Sequence, residues 1–287
     1  GGGCFSGLNS VRLDAARLVR RGGSRLQGCG VLDPPHLIET RMTAITAEIE
    51  RFNRLSATWW DRLGPMRPLH VVNALRLDYV FEQISSHFGQ DTANTLNGLR
   101  ILDVGCGGGL MSEALARRGA HVVGVDASPG NVAAARLHAQ SQNVIVDYRL
   151  GEPAEVLSPQ ERFDVVLALE VVEHVSDVPE FLTTSAARLA PGGMLFVSTI
   201  DRTFVSFAVA IVGAEYLLRV LPRGTHQWSM FVRPEELRSA LAPSKLHMNN
   251  LRGMRYLPVV HKASWCEDTK VNYIATFSHT AHDNYEH

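Results

Sequence analysis

The 287 residues are 45% hydrophobic and 20% charged, with a formal net charge of −1. That is the composition of a folded globular chain and excludes a disordered or fibrous one. With 28 Lys and Arg against 29 Asp and Glu there is no surplus of cations for a broad nucleic-acid face, so nucleic acid is excluded as a partner. The four cysteines, Cys4, Cys29, Cys106 and Cys266, are too scattered for a zinc pattern or a disulfide scaffold, which points to a reducing interior. A chain of this length buries a full core without covalent staples, consistent with one catalytic domain behind an N-terminal extension.

Residues 1–32 carry Arg12, Arg17, Arg20, Arg21 and Arg25 among serines and glycines, with Asp14 as the sole acid. This is the composition of a mitochondrial transit peptide, although a disordered Gly-rich leader would look alike. If Val11–Val19 is helical, Val11, Ala15, Leu18 and Val19 share a face that Arg12 and Arg20 avoid. Asp33-Pro34-Pro35 breaks any helix at the junction. The expected organisation is a leader over 1–35, one domain over 43–278 and a polar tail over 279–287.

Past the junction, Ile45, Ile49, Phe52 and Leu55 recur at helical spacing up to Trp59-Trp60, and a second helix is predicted from about His70 to Ile84 behind Pro65 and Pro68. Short apolar runs follow at Leu99–Val104, His121–Val125, Val144–Leu150, Phe163–Leu169 and Met194–Thr199. Helical stretches such as Met111–Arg118 and Asn131–Ala139 separate most of them. This βαβ rhythm predicts a doubly wound α/β fold on a parallel sheet. Leu189–Gly193 reads as a reverse turn into the fifth strand. Leu246–Met254 and Val271–Phe277, with no full helix between them, predict an antiparallel edge pair.

At the end of the first strand, Leu102-Asp103-Val104-Gly105-Cys106-Gly107-Gly108-Gly109 turns toward a helix, where glycines let the backbone approach a nucleotide-like ligand. A dinucleotide loop needs Gly-x-Gly-x-x-Gly, but Leu110 stands three after Gly107 and the actual pattern is Gly-x-Gly-x-Gly, which disfavours NAD. The second strand ends at Asp126, placed to accept both hydroxyls of a ribose; a helix cap before Ser128-Pro129 is the plainer alternative. The two features in register favour S-adenosylmethionine. Asp103 fits either the methionine ammonium or stabilisation of the turn.

The fourth strand runs into Glu170-Val171-Val172-Glu173-His174. If a helical turn follows, Glu170, Glu173 and His174 share one face at i, i+3 and i+4. Two carboxylates and an imidazole suit magnesium or manganese; alternatively Glu170 meets cofactor, Glu173 is solvated and His174 is a packed or catalytic histidine.

The chain from about Ile45 to Phe277 resembles the ubiquinone-pathway O-methyltransferases, which methylate polyprenylated catechol-like rings. The resemblance is carried by Phe52 through Trp59-Trp60-Asp61, Pro68-Leu69-His70 with Asn73 and Arg76-Leu77, and Leu102–Gly109. It is carried further by Glu170-Val171-Val172-Glu173-His174-Val175, Gly213-Ala214-Glu215-Tyr216, Gly224-Thr225-His226 and Val271-Asn272-Tyr273. It implies a Rossmann-like, class I S-adenosylmethionine-dependent methyltransferase: a seven-stranded, mostly parallel sheet with an antiparallel C-terminal edge strand, plus N-terminal helices. It also implies cofactor contacts at Arg76, Gly105, Asp126 and Leu169, joined by Asp103, Gly107 and Gly109 of the loop, and Mg2+ ligands at Glu170, Glu173 and His174.

Methyl transfer from a sulfonium is an in-line displacement, so positioning is most of the catalysis. A metal on adjacent catechol oxygens would lower the phenol pKa. His174 as general base competes with its use as a ligand, and His226 is the second candidate base. The apolar stretch Phe204–Leu221 is too interrupted to span a bilayer; by periodicity it suits a buried helix, and the resemblance favours contact with inner-membrane lipid. The expected setting is the matrix face of the mitochondrial inner membrane among other coenzyme Q biosynthesis proteins. A non-catalytic cofactor-binding scaffold and a methyltransferase for another small phenol are the alternative readings.

Overall fold

The computed structural model describes residues 43–89, 96–200 and 232–279, all within one compact unit, Thr40–His287. The leader over 1–35, the stretch 204–221, His226 and the tail beyond residue 279 lie outside the described residues.

Helices α1 (Thr46–Leu55) and α2 (Arg67–Phe88) precede the sheet, a 3-10 turn over Ser56–Thr58 extending α1. Helix α2 is longer than the sequence predicts. Pro68 is tolerated in its first turn because that N–H has no intrahelical partner, and the left-handed Gly89 (φ 61°) ends it. Strands β1 (Arg100–Val104), β2 (His121–Asp126), β3 (Asp147–Leu150), β4 (Phe163–Leu169) and β5 (Leu189–Ile200) alternate with α3 (Leu110–Ala116), α4 (Pro129–Ser141), α5 (Pro153–Val156) and α6 (Val178–Ala186). Helix α7 (Pro234–Leu241) then leads to β6 (His247–Leu257), β7 (Lys262–Cys266) and β8 (Asn272–Ser278).

The sheet has eight strands in the order β3-β2-β1-β4-β5-β8-β6-β7. Strands β1 to β5 pair in parallel, and β8 joins β5 and β6 antiparallel. This corrects the sequence reading in two places. Among the described residues there are eight strands instead of seven; β6 and β8 pair antiparallel as expected, but β8 lies against β5, and β6 folds back as β7, which takes the edge. The segment read as a turn, Leu189–Gly193, belongs to β5: its register against β4 shifts between Phe163 and Val165, and Gly192 takes φ 75°. Residues 190–193 stand opposite Asp164 alone, an irregularity inside the strand.

Alternation along the strands sorts the core onto two faces. Leu102, Val104, Val166, Ala168, Leu195 and Val197 pack toward α6 and α7 residues such as Phe181 and Leu237. Ile101, Val165, Leu167, Met194 and Phe196 pack with Tyr79, Val80 and Ile84 of α2. Strand order reverses between β1 and β4, which opens a crevice at their carboxyl ends, the place where open α/β sheets hold ligands.

Candidate active site

Beyond Val104 the chain turns through Gly105, Gly107 and Gly109 at φ 70°, 54° and 85°, conformations that glycine adopts without steric cost. The N–H groups of Gly105 and Cys106 donate to the Val125 carbonyl (2.8 and 3.1 Å), which clamps the loop to β2. The Gly107 N–H donates to Asp126 Oδ2 (2.9 Å), and Asp126 Oδ1 accepts from the Ser128 N–H (2.8 Å) and Asn131 Nδ2 (3.2 Å). The side chain that caps α4 is that of Ser128, which accepts from the Asn131 N–H. Asp126 ties this N-cap to the glycine loop. Burial raises the Asp126 carboxyl above its ordinary range. Asp103 is fully buried and accepts from the Ser112 hydroxyl (2.5 Å); burial, aided by the charge of Asp126, pushes it up to about 7.

The N-terminal segment lies over this loop. The Trp59 indole N–H donates to Asn131 Oδ1 (2.7 Å), and the Trp60 indole N–H donates to the Gly108 carbonyl (3.0 Å). The Trp60 ring stacks on His138 at 3.4 Å. A Cβ on Gly107 or Gly108 would run into the Trp59 ring, so these glycines give room to a tryptophan as well as to any ligand. Asn53 Oδ1 accepts from Ser128 Oγ (2.7 Å) and the Gly130 N–H (2.8 Å). Glu152 accepts from the N–H groups of Thr43 (3.0 Å) and Ala44 (2.5 Å) and from Thr43 Oγ1 (3.1 Å).

Past β4, Glu170 takes φ 56°, unusual for a residue with a side chain and a mark of local strain. The turn that follows is a 3-10 turn over Val172–His174, so Glu170 lies outside it and the i, i+3, i+4 face expected from the sequence does not form. Glu170 Oε1 accepts from Arg76 (2.5 Å) and Ser198 Oγ (3.1 Å). Glu173 accepts from the Thr199 hydroxyl (2.8 Å), and burial together with the charge of Glu170 pushes it up to about 7. His174 Nδ1 donates to Glu48 Oε2 of α1 across 2.9 Å, and this bond holds the Glu48 carboxyl below its ordinary range. Phe52 packs edge-on against the same imidazole. Among the described residues no three His, Cys, Asp or Glu side chains are set to hold a metal ion.

Both constellations border one cavity of about 400 Å3, within the range of small-molecule sites. Arg76, Asp103, Gly105, Gly107, Asp126, Leu169, Glu170, Glu173 and His174 all line it. Gly109 is not part of that lining; it caps α3. Arg76 is 1% exposed, bonded to Glu170 and Asn73, and its Nε is buried without a partner. A buried guanidinium N–H left without a partner, beside the half-buried Glu170 carboxylate, is what an amino-acid moiety, with its own carboxylate and ammonium, would complete.

Residues 74–247 match the family described as methyltransferase domain. A ubiquinone biosynthesis O-methyltransferase of Azorhizobium caulinodans is 51% identical over 239 residues, 81% of this chain and 94% of that protein. That of Brucella ovis is 46% identical over 83% of this chain and 97% of its own length. The chain belongs to the ubiquinone biosynthesis O-methyltransferases. It is a methyltransferase dependent on S-adenosylmethionine. Among solved structures, the magnesium protoporphyrin IX methyltransferase of Synechocystis PCC 6803 with bound SAH superposes with a TM-score of 0.61 at 19% identity, covering 82% of this chain and 99% of that one. It shares the fold.

For this family member the sequence reading missed Glu48, Asn53, Trp59 and Asn131 as neighbours of the site. Glu48 is an ordinary solvent-facing acid by periodicity, and nothing local couples it to His174, 126 positions on. Trp59 could have been found, since two adjacent tryptophans next to an acid are a costly choice for a solvated helix end.

Proposed function

We propose that this cavity transfers the methyl group of S-adenosylmethionine to a phenolic hydroxyl of a polyprenylated, catechol-type ubiquinone precursor. The observation that carries the reading is the single cavity bordered by the glycine loop, Asp126 and Arg76 together with Glu170, Glu173 and His174. In this reading Arg76 Nε and Asp103 receive the carboxylate and ammonium of the methionine moiety, Asp126 the ribose hydroxyls, and Leu169 contacts the cofactor through its backbone. The phenolic oxygen attacks the methyl carbon along the axis of the breaking S–C bond. The sulfonium leaves as a neutral thioether, and the phenol loses its proton. Holding the two partners at near-attack distance is the main contribution of the protein.

Two carboxylates and an imidazole bordering one cavity are a donor set that suits Mg2+, and a cation there would offset the repulsion between Glu170 and Glu173. Glu170, Glu173 and His174 would hold it after giving up Arg76, Thr199 and Glu48, since their present side-chain positions do not gather around an ion. Bound there, a divalent ion supplies Lewis acidity toward the phenol. A second reading is favoured by the Glu48 contact: with Nδ1 donating to a carboxylate, His174 keeps a lone pair on Nε2 and is oriented as a general base. The composition of residues 1–32 supports a mitochondrial setting and the stretch 204–221 supports contact with inner-membrane lipid, while the relatives named above are bacterial.

The test is methyl transfer from labelled S-adenosylmethionine to a short-tailed polyprenyl catechol, with magnesium and with chelator, in wild type and a Glu173→Ala variant shown to be folded. Turnover lost in both the chelated and the variant samples supports the metal-assisted enzyme. Full turnover in chelator removes the metal and leaves His174 or His226 as base. Cofactor binding without any turnover overturns the reading.

A further inference from the structure

The β6–β7 hairpin closes over Pro258-Val259-Val260-His261, with Leu257 paired to Lys262. Its apolar residues face outward: Leu257 is 47% exposed, Val259 82% and Val260 56%. The tip is held in shape, because the Tyr256 hydroxyl lies 2.6 Å from His261 Nδ1. Such a surface does not collapse onto the protein to hide itself. A second exposed apolar side chain, Leu63 at 81%, projects from the loop between the 3-10 turn and α2.

These two projections flank one opening. Pro65 and Met66 of the loop, Pro68 in the first turn of α2, and Tyr256 and Pro258 of the hairpin line the same cavity, and the charge of Arg67 acts on the Tyr256 hydroxyl. The charge around the opening is net positive. Residues 61–67 contain Arg62 and Arg67 against Asp61, and residues 255–262 contain Arg255 and Lys262 with no acid. Among the described residues none of these four cations forms an ion pair.

We propose that this rim, the hairpin tip with Leu63, is the surface by which the protein rests on an anionic bilayer. Val259 and Val260 enter the headgroup boundary, and Arg62, Arg67, Arg255 and Lys262 meet lipid phosphates. Apolar side chains that insert beside cations that stay at headgroup level are the two elements of interfacial binding. The proposal deepens the function given above, since a bilayer seated on this rim lies across the mouth of the cavity and a lipid-tailed acceptor reaches the site without crossing water. It concerns a different surface from the stretch 204–221.

The experiment is flotation of the full chain with phosphatidylcholine vesicles and with vesicles in which a third of the lipid is phosphatidylglycerol. A Val259→Ser/Val260→Ser double variant removes the insertion, and an Arg255→Glu/Lys262→Glu double variant reverses the charge. None of these four residues lines the cavity. Wild type is expected to partition onto the anionic vesicles and far less onto the neutral ones. The charge variant should lose roughly fivefold or more per basic side chain, and the valine variant on the order of tenfold. Both variants should keep wild-type turnover on a short-tailed, water-soluble catechol. Undiminished binding by both variants assigns docking to another surface and overturns the proposal, as does a wild type that binds neither vesicle. Failure of wild-type turnover on the soluble catechol counts against the assigned function instead and leaves the vesicle result standing.

Discussion

Replacing Trp59 by Phe keeps an aromatic ring over Gly108 but removes the indole N–H and the far edge of the bicyclic ring that lies over Gly107. That N–H donates to Asn131 Oδ1 at 2.7 Å, while Nδ2 of the same amide donates to Asp126. Without the donor, a buried acceptor is left unsatisfied, which costs about 1–3 kcal/mol. The amide also loses the contact that fixes which end faces Asp126. Trp59 belongs to none of the three core clusters, and α1 buries no residue. The cost therefore falls on closure of the N-terminal segment and not on global unfolding. If the cofactor binds the covered state, its Kd should rise about tenfold, since roughly 1.4 kcal/mol is a factor of ten. Calorimetric titration with S-adenosylhomocysteine measures the Kd, and denaturant unfolding of the apo protein measures the global term. An Asn131→Ala variant and the double variant complete a cycle in which the two changes should be strongly non-additive. A Kd within twofold of wild type would refute the argument. So would a matching loss of global stability.

Gly108→Ala introduces no backbone strain, because Gly108 is not among the positive-φ glycines, but its methyl would strike Trp59; cofactor affinity should fall by about 1–3 kcal/mol, and a Trp59→Ala background should restore tolerance of the methyl. Asp103 is raised to about 7 in the folded protein against an ordinary carboxyl in the unfolded chain, so the fold holds a proton that the unfolded state has released. The stability it contributes is complete below the ordinary carboxylate range and is lost as pH rises toward and through about 7. The urea midpoint of the apo protein should decline over that window, and Asp103→Asn should flatten the decline. Glu152→Ala removes the acceptor for three donors of Thr43 and Ala44; limited proteolysis within residues 43–60 should accelerate several-fold while the unfolding midpoint of the core stays near wild type.

Much of this protein is written locally. The apolar runs that became β1, β2 and β4, the proline-started helices and the Gly-x-Gly-x-Gly turn ending near Asp126 all depend on propensity, alternation and spacing, which a short window contains. The C-terminal arrangement was not legible in that way. Both β6 and β8 read as strands, but which of them meets β5 depends on how side chains from distant segments share the core, and Tyr273, Ala275 and Phe277 of β8 fill it beside Leu195 and Val197. The register of Glu170, Glu173 and His174 was misjudged for a similar reason. Glu170 at the end of β4 is left-handed, with its N–H bonded to the Ser198 carbonyl and its carboxylate to Arg76 on α2, partners that no local window contains. The sequence by itself determined the fold class and the glycine turn that follows β1. Only the tertiary structure decided that Trp59 lies on that loop, that Glu48 meets His174 and that exposed valines stand at the mouth of the cavity. Those contacts join residues tens to hundreds of positions apart, and their energy exists only once the sheet has brought them together.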